Sequence, residues 1–208
     1  MKVIPGILEK EWSEIEKKIE IGKTFATAFH VDIIDNKFAP NLSFLGPDPF
    51  KKYSHNIFFE LHMMVENPIQ YLLPFADAGF KRFLGHVEKM PDQEEFVAKA
   101  QMLGEVGLAI DGPTALSAIK VPYEDLDTIL LMSIKAGFSG QSFVKEYIQK
   151  ASIIHEKTNI PIEVDGGVND KTIHQAKECG ITRFVSTSYI FSNPDPQKAY
   201  QNLLRVLE

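Results

Sequence analysis

Hydrophobic positions change their period repeatedly along this 208-residue chain. Short runs of Val, Ile, Leu and Phe, of strand length, are each followed by a stretch whose apolar residues recur every three or four positions, the spacing of one helix face. KVIPGIL (2–8) precedes EWSEIEKKIE (11–20), and TAFHVDII (27–34) precedes a long loop and the short PDPFKKY (47–53). IFFELHMMV (57–65) leads to NPIQYLLPFADAG (67–79), KRFLGHV (81–87) to DQEEFVAKAQML (92–103), and VGLAI (106–110) to the turn-like TALSAI (114–119). DTILLMSI (127–134) leads to FVKEYIQKASIIHEKT (143–158), PIEV (161–164) to KTIHQAKECG (171–180), and RFVST (183–187) to PDPQKAYQNLLRVL (194–207).

Strict strand–helix alternation predicts a parallel sheet with right-handed crossovers. Eight such pairs favour closure over an open sheet. The expected fold class is therefore α/β, a single (β/α)8 TIM barrel of eight parallel strands, with residues 1–208 as one catalytic domain. No G-x-G-x-x-G follows the first strand, which disfavours a dinucleotide site there.

Composition narrows the partners. A net charge of −6 argues against a nucleic-acid or anionic-membrane surface, so an anionic ligand needs a local site. The single cysteine, Cys179, cannot form an internal disulfide and reads as a packing residue at a helix end, which points to a reducing compartment. No apolar run approaches a membrane span. The expectation is a cytoplasmic protein with no nucleic-acid and no membrane partner.

The chemistry sits where strands run out. His30 and Asp32 share one face of FHVDIID with Ile34, His62 shares a face with Glu60 and Met64, and Asp165 shares one with Glu163. In a barrel, these positions project inward at the C-terminal rim, where barrel enzymes carry their sites. A lone His or Asp at a strand end is ordinarily a solvated or hydrogen-bonded group. Two imidazoles and two carboxylates together suit a borderline divalent ion such as Zn²⁺, Fe²⁺ or Mn²⁺. Three loops follow the last three predicted strands: AGFSGQSF (136–143), DGGVND (165–170) and STSYIFSN (186–193). Ordinary turn chemistry also uses glycine. Backbone N–H groups on one rim, after strands six to eight, favour a phosphate site. Met64 and Met132 read from spacing alone as core filler. His86, in GHVE, can face the same site, whereas His55, His155 and His174 read as exposed.

These residues resemble the ribulose-phosphate 3-epimerase family. The likeness is carried by HVDIIDNKFAPN (30–41), LHMMVENP (61–68), MSIKAGFSGQSF (132–143) and IEVDGGV (162–168), and it extends over essentially the whole chain. The resemblance implies that His30, Asp32, His62 and Asp165 hold one divalent metal ion (Zn, Fe or Mn), and that Asp32 and Asp165 double as the acid/base pair. It implies a phosphate cradle of Gly137, Phe138, Ser139, Gly140, Gly166, Gly167, Thr187 and Ser188, with His62, Met64 and Met132 against the substrate. No organic cofactor is implied. The reaction would invert C3 of a small phosphorylated ketose, D-ribulose 5-phosphate to D-xylulose 5-phosphate, through an enediolate. That is an isomerase step of carbohydrate metabolism, in the pentose phosphate pathway. A homo-oligomer is the expected assembly.

The chain departs from the family pattern in several places. Glu9 follows PGIL, where the family usually has a Ser that touches substrate, and is expected in that place among the substrate-binding residues. Ile34 replaces a Met, Asn36 a Gly and Thr187 a Gly, and IKA precedes GFSG in place of Asn-Pro or Glu-Pro. Glu9 and Thr187 keep open an epimerase of another ketose phosphate, such as allulose 6-phosphate. A catalytically silent sugar-phosphate-binding barrel is a further reading, against which both carboxylates speak. A decarboxylase would want a Lys beside Asp32, which has Val31 and Ile33 instead.

Overall fold

The structure is a computed structural model and describes residues 1–138 and 141–208. Among these, eight strands close into one barrel in sequence order, every pair parallel. They are β1 (Lys2–Ile7), β2 (Ala28–Ile34), β3 (Phe58–Met64), β4 (Arg82–His86), β5 (Glu105–Ile110), β6 (Thr128–Met132), β7 (Ile162–Asp165) and β8 (Arg183–Ser186). The helices are α1 (Trp12–Gly22), α2 (Ile69–Asp77), α3 (Gln93–Gln101), α4 (Lys145–Ile148), α5 (Lys150–His155), α6 (Ile173–Glu178), α7 (Ser188–Phe191) and α8 (Pro196–Leu207).

The two periods in the sequence explain this arrangement. Outward strand positions such as Val31, Ile33, Leu61, Met63, Phe83 and Ile129 are fully or almost fully buried under the helix layer. They meet the apolar stripes of the helices, for instance Ile15 and Ile19 of α1 and Leu203 and Leu207 of α8. Inward positions form a second, smaller apolar cluster of Ile34, Met64, Leu84, Leu130 and Met132. Two helices begin on acidic caps: the side chain of Asp92 accepts from the Glu95 N–H, and that of Asp195 from the Lys198 N–H.

Where helical periodicity was short, regular helix is lost. After β2 the chain makes only a 3₁₀ turn at Asp48–Lys52, and after β5 two at Leu116–Ala118 and Tyr123–Asp125. Prolines at 47, 49, 113 and 122 remove backbone donors in these stretches. The segment expected as one helix over 143–158 breaks into α4 and α5, and STSYIFSN, expected as a loop, winds into the short α7. His155, expected at the surface, is half-buried and its Nε2 lies 2.8 Å from the Gly180 carbonyl oxygen.

Candidate functional site

Strand register brings the polar inward residues together. Across β2 and β3, His30 is opposite Glu60 and Asp32 is opposite His62; across β6 and β7, Met132 is opposite Asp165. Barrel closure then converges what the sequence separates. Ligating atoms of His30, Asp32, His62 and Asp165 all lie within 4.8 Å of one another. His62 Nδ1 is 2.7 Å from Asp32 Oδ1 and 3.9 Å from Asp165 Oδ2. His30 Nε2 is 3.3 Å from Asp32 Oδ1, yet it is buried and has no hydrogen-bond partner.

A second tier lies beneath. His30 Nδ1 is 2.8 Å from Glu60 Oε1 and 3.3 Å from Glu163 Oε1. Arg82 bonds Glu60 and, 2.6 Å away, Glu105. Neither carboxyl oxygen of the fully buried Glu163 has a hydrogen-bond partner. Four carboxyl groups, those of Asp32, Glu60, Glu163 and Asp165, thus crowd a space largely removed from water, with Arg82 and Arg183 beside the two glutamates, and the electrostatics follow from that crowding. Burial pushes Asp165 up to about 7, helped by the negative charge of Asp32. Burial and the neighbouring Glu60 likewise push Glu163 up to about 7. Asp32 goes the other way: burial opposes its ionisation, but His30 and His62 hold it well below the carboxylate range. Burial also depresses His62, to about 4, despite its contact with Asp32. His30 is raised well above its ordinary value, because the carboxylates around it outweigh its burial. This donor set fits a divalent cation. Two oxygens and two nitrogens are of the right type, the excess charge is negative, and an orphaned imidazole nitrogen points at the cluster.

Above the four residues opens a small cavity. Asp32 and Asp165 form its polar floor. Met64, Met132, Leu8, Ile134, Val168 and Val185 supply apolar wall, and Gly137, Phe138, Gly166, Gly167, Thr187 and Ser188 line the far side. Gly166 and Gly167 have φ of 112° and 60°, and a Cβ on Gly166 would stand 2.5 Å from Ile134 Cγ1. Glycine is therefore needed here to turn the chain tightly over the barrel.

Several sequence expectations need correcting. Glu9 does not line this cavity. Its carboxylate bonds Lys18 at 2.5 Å, which neutralises it, and it faces a neighbouring groove with Leu8, Lys10 and Asn41. His62 has no exposed surface, so it sits under the floor and not on a substrate-facing wall. Ser139 and Gly140 lie outside the described residues. Asn36 adopts φ 62°, the left-handed backbone that Asn tolerates where glycine is usual.

Sequence reasoning missed the apolar wall of Leu8, Ile134, Val168 and Val185, because an apolar residue at a strand end looks like core. It noted Glu60 and Glu163 as sharing faces with His62 and Asp165 but did not join them to Arg82. The signal was there: charged residues two positions before the site residues, in strands otherwise apolar.

The profile of the family described as "Ribulose-phosphate 3 epimerase family" matches residues 2–191. A ribulose-phosphate 3-epimerase of Schizosaccharomyces pombe is 31% identical over 210 residues, covering 97% of this chain and 92% of that protein. One of Helicobacter pylori is 31% identical over 214 residues, covering 99% and 98%. Among solved structures, 3-hexulose-6-phosphate synthase from Salmonella typhimurium superposes with a TM-score of 0.74 at 13% identity, covering 100% of this chain and 98% of that one, a likeness of fold alone. By profile, identity and coverage, this chain belongs to the ribulose-phosphate 3-epimerase family.

Proposed function

We propose that this chain is a metal-dependent epimerase that interconverts D-ribulose 5-phosphate and D-xylulose 5-phosphate at C3. The observation that carries the reading is the buried convergence of His30, Asp32, His62 and Asp165, with His30 Nε2 unpartnered, on the floor of a cavity whose far side is glycine-rich backbone. His30, Asp32, His62 and Asp165 would hold one divalent ion, Zn, Fe or Mn, which supplies Lewis acidity against the negative charge that develops on the ketose oxygens beside C3.

The protons belong to the two aspartates. One carboxylate removes the C3 proton to give an enediolate, and the other carboxyl group returns a proton to the opposite face, inverting the centre. Opposed environments support this division: without a bound cation, His30 and His62 favour the ionised form of Asp32, whereas burial and the charge of Asp32 push Asp165 up to about 7. In the reverse direction the roles exchange. Met64 and Met132 flank the reacting carbons with soft, apolar surface that excludes water. Backbone N–H groups around Gly166, Gly167 and Ser188, with Gly137, Phe138 and Thr187, would receive the phosphate. This chemistry needs no organic cofactor. We take residues 1–208 as one catalytic barrel working as a cytoplasmic homo-oligomer. Among the described residues no helix is long and apolar enough to cross a membrane.

The test is to incubate metal-loaded protein with ribulose 5-phosphate in D₂O and follow C3 by NMR. Deuterium at C3 together with xylulose 5-phosphate is the expected result. Turnover of allulose 6-phosphate alone would move the assignment to that ketose, and exchange with neither would leave a silent binder. Elemental analysis should find about one divalent ion per chain, lost in His62→Ala and Asp165→Ala.

A further inference from the structure

The connections after β2 and β5 carry no α-helix. Both leave the barrel at the rim that holds the site, and each sends one polar side chain to the turn after β6. Asn41, from the first, donates through Nδ2 to the Gly137 carbonyl at 2.8 Å. Asp111, from the second, accepts from the Ala136 N–H at 2.8 Å through Oδ1. The backbone at Ala136 and Gly137 is thus gripped from two sides, next to the point where Gly137 lines the cavity.

Each grip is itself fixed. Asn41 Oδ1 accepts from the Leu42 N–H at 3.0 Å, which turns the amide nitrogen to Gly137. Earlier in the same loop, Asp35 accepts from the N–H groups of Lys37 and Phe38 with one oxygen and from that of Glu66 with the other, so the loop is tied to the end of β3. Ala39 packs so closely that a Cβ on Gly137, whose φ is 110°, would stand 2.5 Å from Ala39 Cβ. On the opposite side, Asp111 Oδ1 also accepts from the Gly112 N–H at 2.9 Å. The half-buried Lys150 donates to the carbonyls of Asp111, Gly112 and Thr114 at 3.1, 2.7 and 2.6 Å. The Asp111 N–H donates to Glu88 Oε1 at 2.7 Å, and Glu88 Oε2 lies 2.9 Å from His86 Nδ1. His86 Nε2 lies 2.8 Å from His62 Nε2, so this support continues to the back of the metal-ligating cluster.

We propose that Asn41 and Asp111 are positioning residues that hold the Ala136–Gly137 backbone in the orientation that receives the phosphate of the ketose. A glycine in left-handed backbone has no side chain to fix it, and ordering it only when the anion arrives would cost affinity. Two hydrogen bonds made beforehand, one to its carbonyl and one to the preceding N–H, remove much of that cost. The absence of regular helix after β2 and β5 then has a use: both connections stay at the rim and brace the turn between them. This inference rests on the phosphate reading above.

Asn41→Asp is the sharpest variant. It keeps the acceptor for the Leu42 N–H and replaces the donor to Gly137 with an oxygen. Asp111→Ala loses both of its N–H partners, whereas the amide oxygen of Asp111→Asn still accepts from them. With inorganic phosphate as the probe, amide shifts of ¹⁵N-labelled protein should give a Kd raised about 10-fold in Asn41→Asp and in Asp111→Ala, the effect of about one hydrogen bond. Asp111→Asn should stay near the wild type. KM for ribulose 5-phosphate should rise by the same factor with kcat nearly unchanged, while kcat/KM for free ribulose should not move. A purely structural role would lower stability and leave these constants of the folded protein alone. A wild-type phosphate Kd in Asn41→Asp and Asp111→Ala, or an equal loss for free and phosphorylated sugar, would overturn the inference and leave the epimerase reading standing. A wild type whose Gly137 amide does not respond to inorganic phosphate would overturn it together with the phosphate reading.

Discussion

One side of the cavity is built from polar side chains. His30, Asp32, His62 and Asp165 project from β2, β3 and β7, and the first three are fixed by buried neighbours on adjacent strands. On the other side, the lining is backbone and small side chains in the turns after β7 and β8, around Gly166, Gly167, Thr187 and Ser188. The contrast follows from what each end would have to do. Moving a proton or holding a cation requires titratable atoms held to within a fraction of an ångström, which paired strands provide. Cradling a phosphate requires several N–H donors converging on one anion, and tight turns provide those. On the proposed function, the strand side would be sensitive to isosteric changes of charge, and the loop side to changes of shape.

The largest effect should come from changing charge without shape at the reacting end. Asp32→Asn and Asp165→Asn should each lower epimerisation by about 10²–10⁴-fold, the usual cost of losing a positioned acid or base. Binding of the phosphorylated ketose to the far side should survive. One variant should still exchange the C3 proton with solvent without inverting the centre, and near-normal epimerisation by either folded, metal-loaded variant would remove the two-base scheme.

Removing the phosphate from the substrate tests the other end. With two or more charge-assisted hydrogen bonds lost, free ribulose should be turned over with kcat/KM reduced by roughly 10²-fold or more. Equal turnover of free and phosphorylated sugar would erase the distinction between the two sides.

Both sides were legible in the sequence to different depths. The strand side was readable because strand parity is exact: once HVDIID and LHMMV are strands, His30, Asp32 and His62 must point inward together, and β7 brings Asp165 to them. What parity cannot show is which inward residues meet after closure. Glu88 and Arg82 therefore stayed outside the picture, and His86 was placed near the site without its partners. The loop side was readable only as composition. Glycine content marked Gly166 and Gly167, but nothing in STSYIFSN announced α7, and nothing in PGILEK tied Glu9 to Lys18.

The supporting layer behind the reacting end carries its own pH signature. Burial opposes ionisation of Glu88, but the hydrogen bond from His86 and the Asp111 N–H overcome it and hold its pKa at about 2, against an ordinary 4.5. A folded-state value below the unfolded one means that the stabilisation is complete above pH 4.5 and is lost as pH falls towards 2. The full span is worth about 3 kcal/mol. Urea unfolding at pH 5 and pH 3 should show this loss in the wild type and a visibly shallower decline in Glu88→Gln. Identical slopes for the two proteins would mean that Glu88 is not held as the contacts require.

The smallest expected effect joins the two sides. Gly6 near the end of β1 lies against Thr187 at the start of the last turn, and a Cβ at position 6 would stand 2.2 Å from Thr187 Oγ1 and 3.0 Å from Val185 Cγ1. Bare backbone on a strand thus makes room for a branched hydroxyl side chain on a loop that lines the cavity. Adding one methyl group there is overpacking, so Gly6→Ala should cost about 1–3 kcal/mol. Thr187→Gly removes the obstruction at the price of backbone freedom, a loss of up to about 1 kcal/mol. The double variant should be more stable than the sum of the single changes by a coupling of about 1 kcal/mol or more, since the two residues touch. Chemical denaturation of the four proteins measures that coupling. Additivity within error would mean that strand and loop are packed independently, and that the division between the two sides reaches down to their packing.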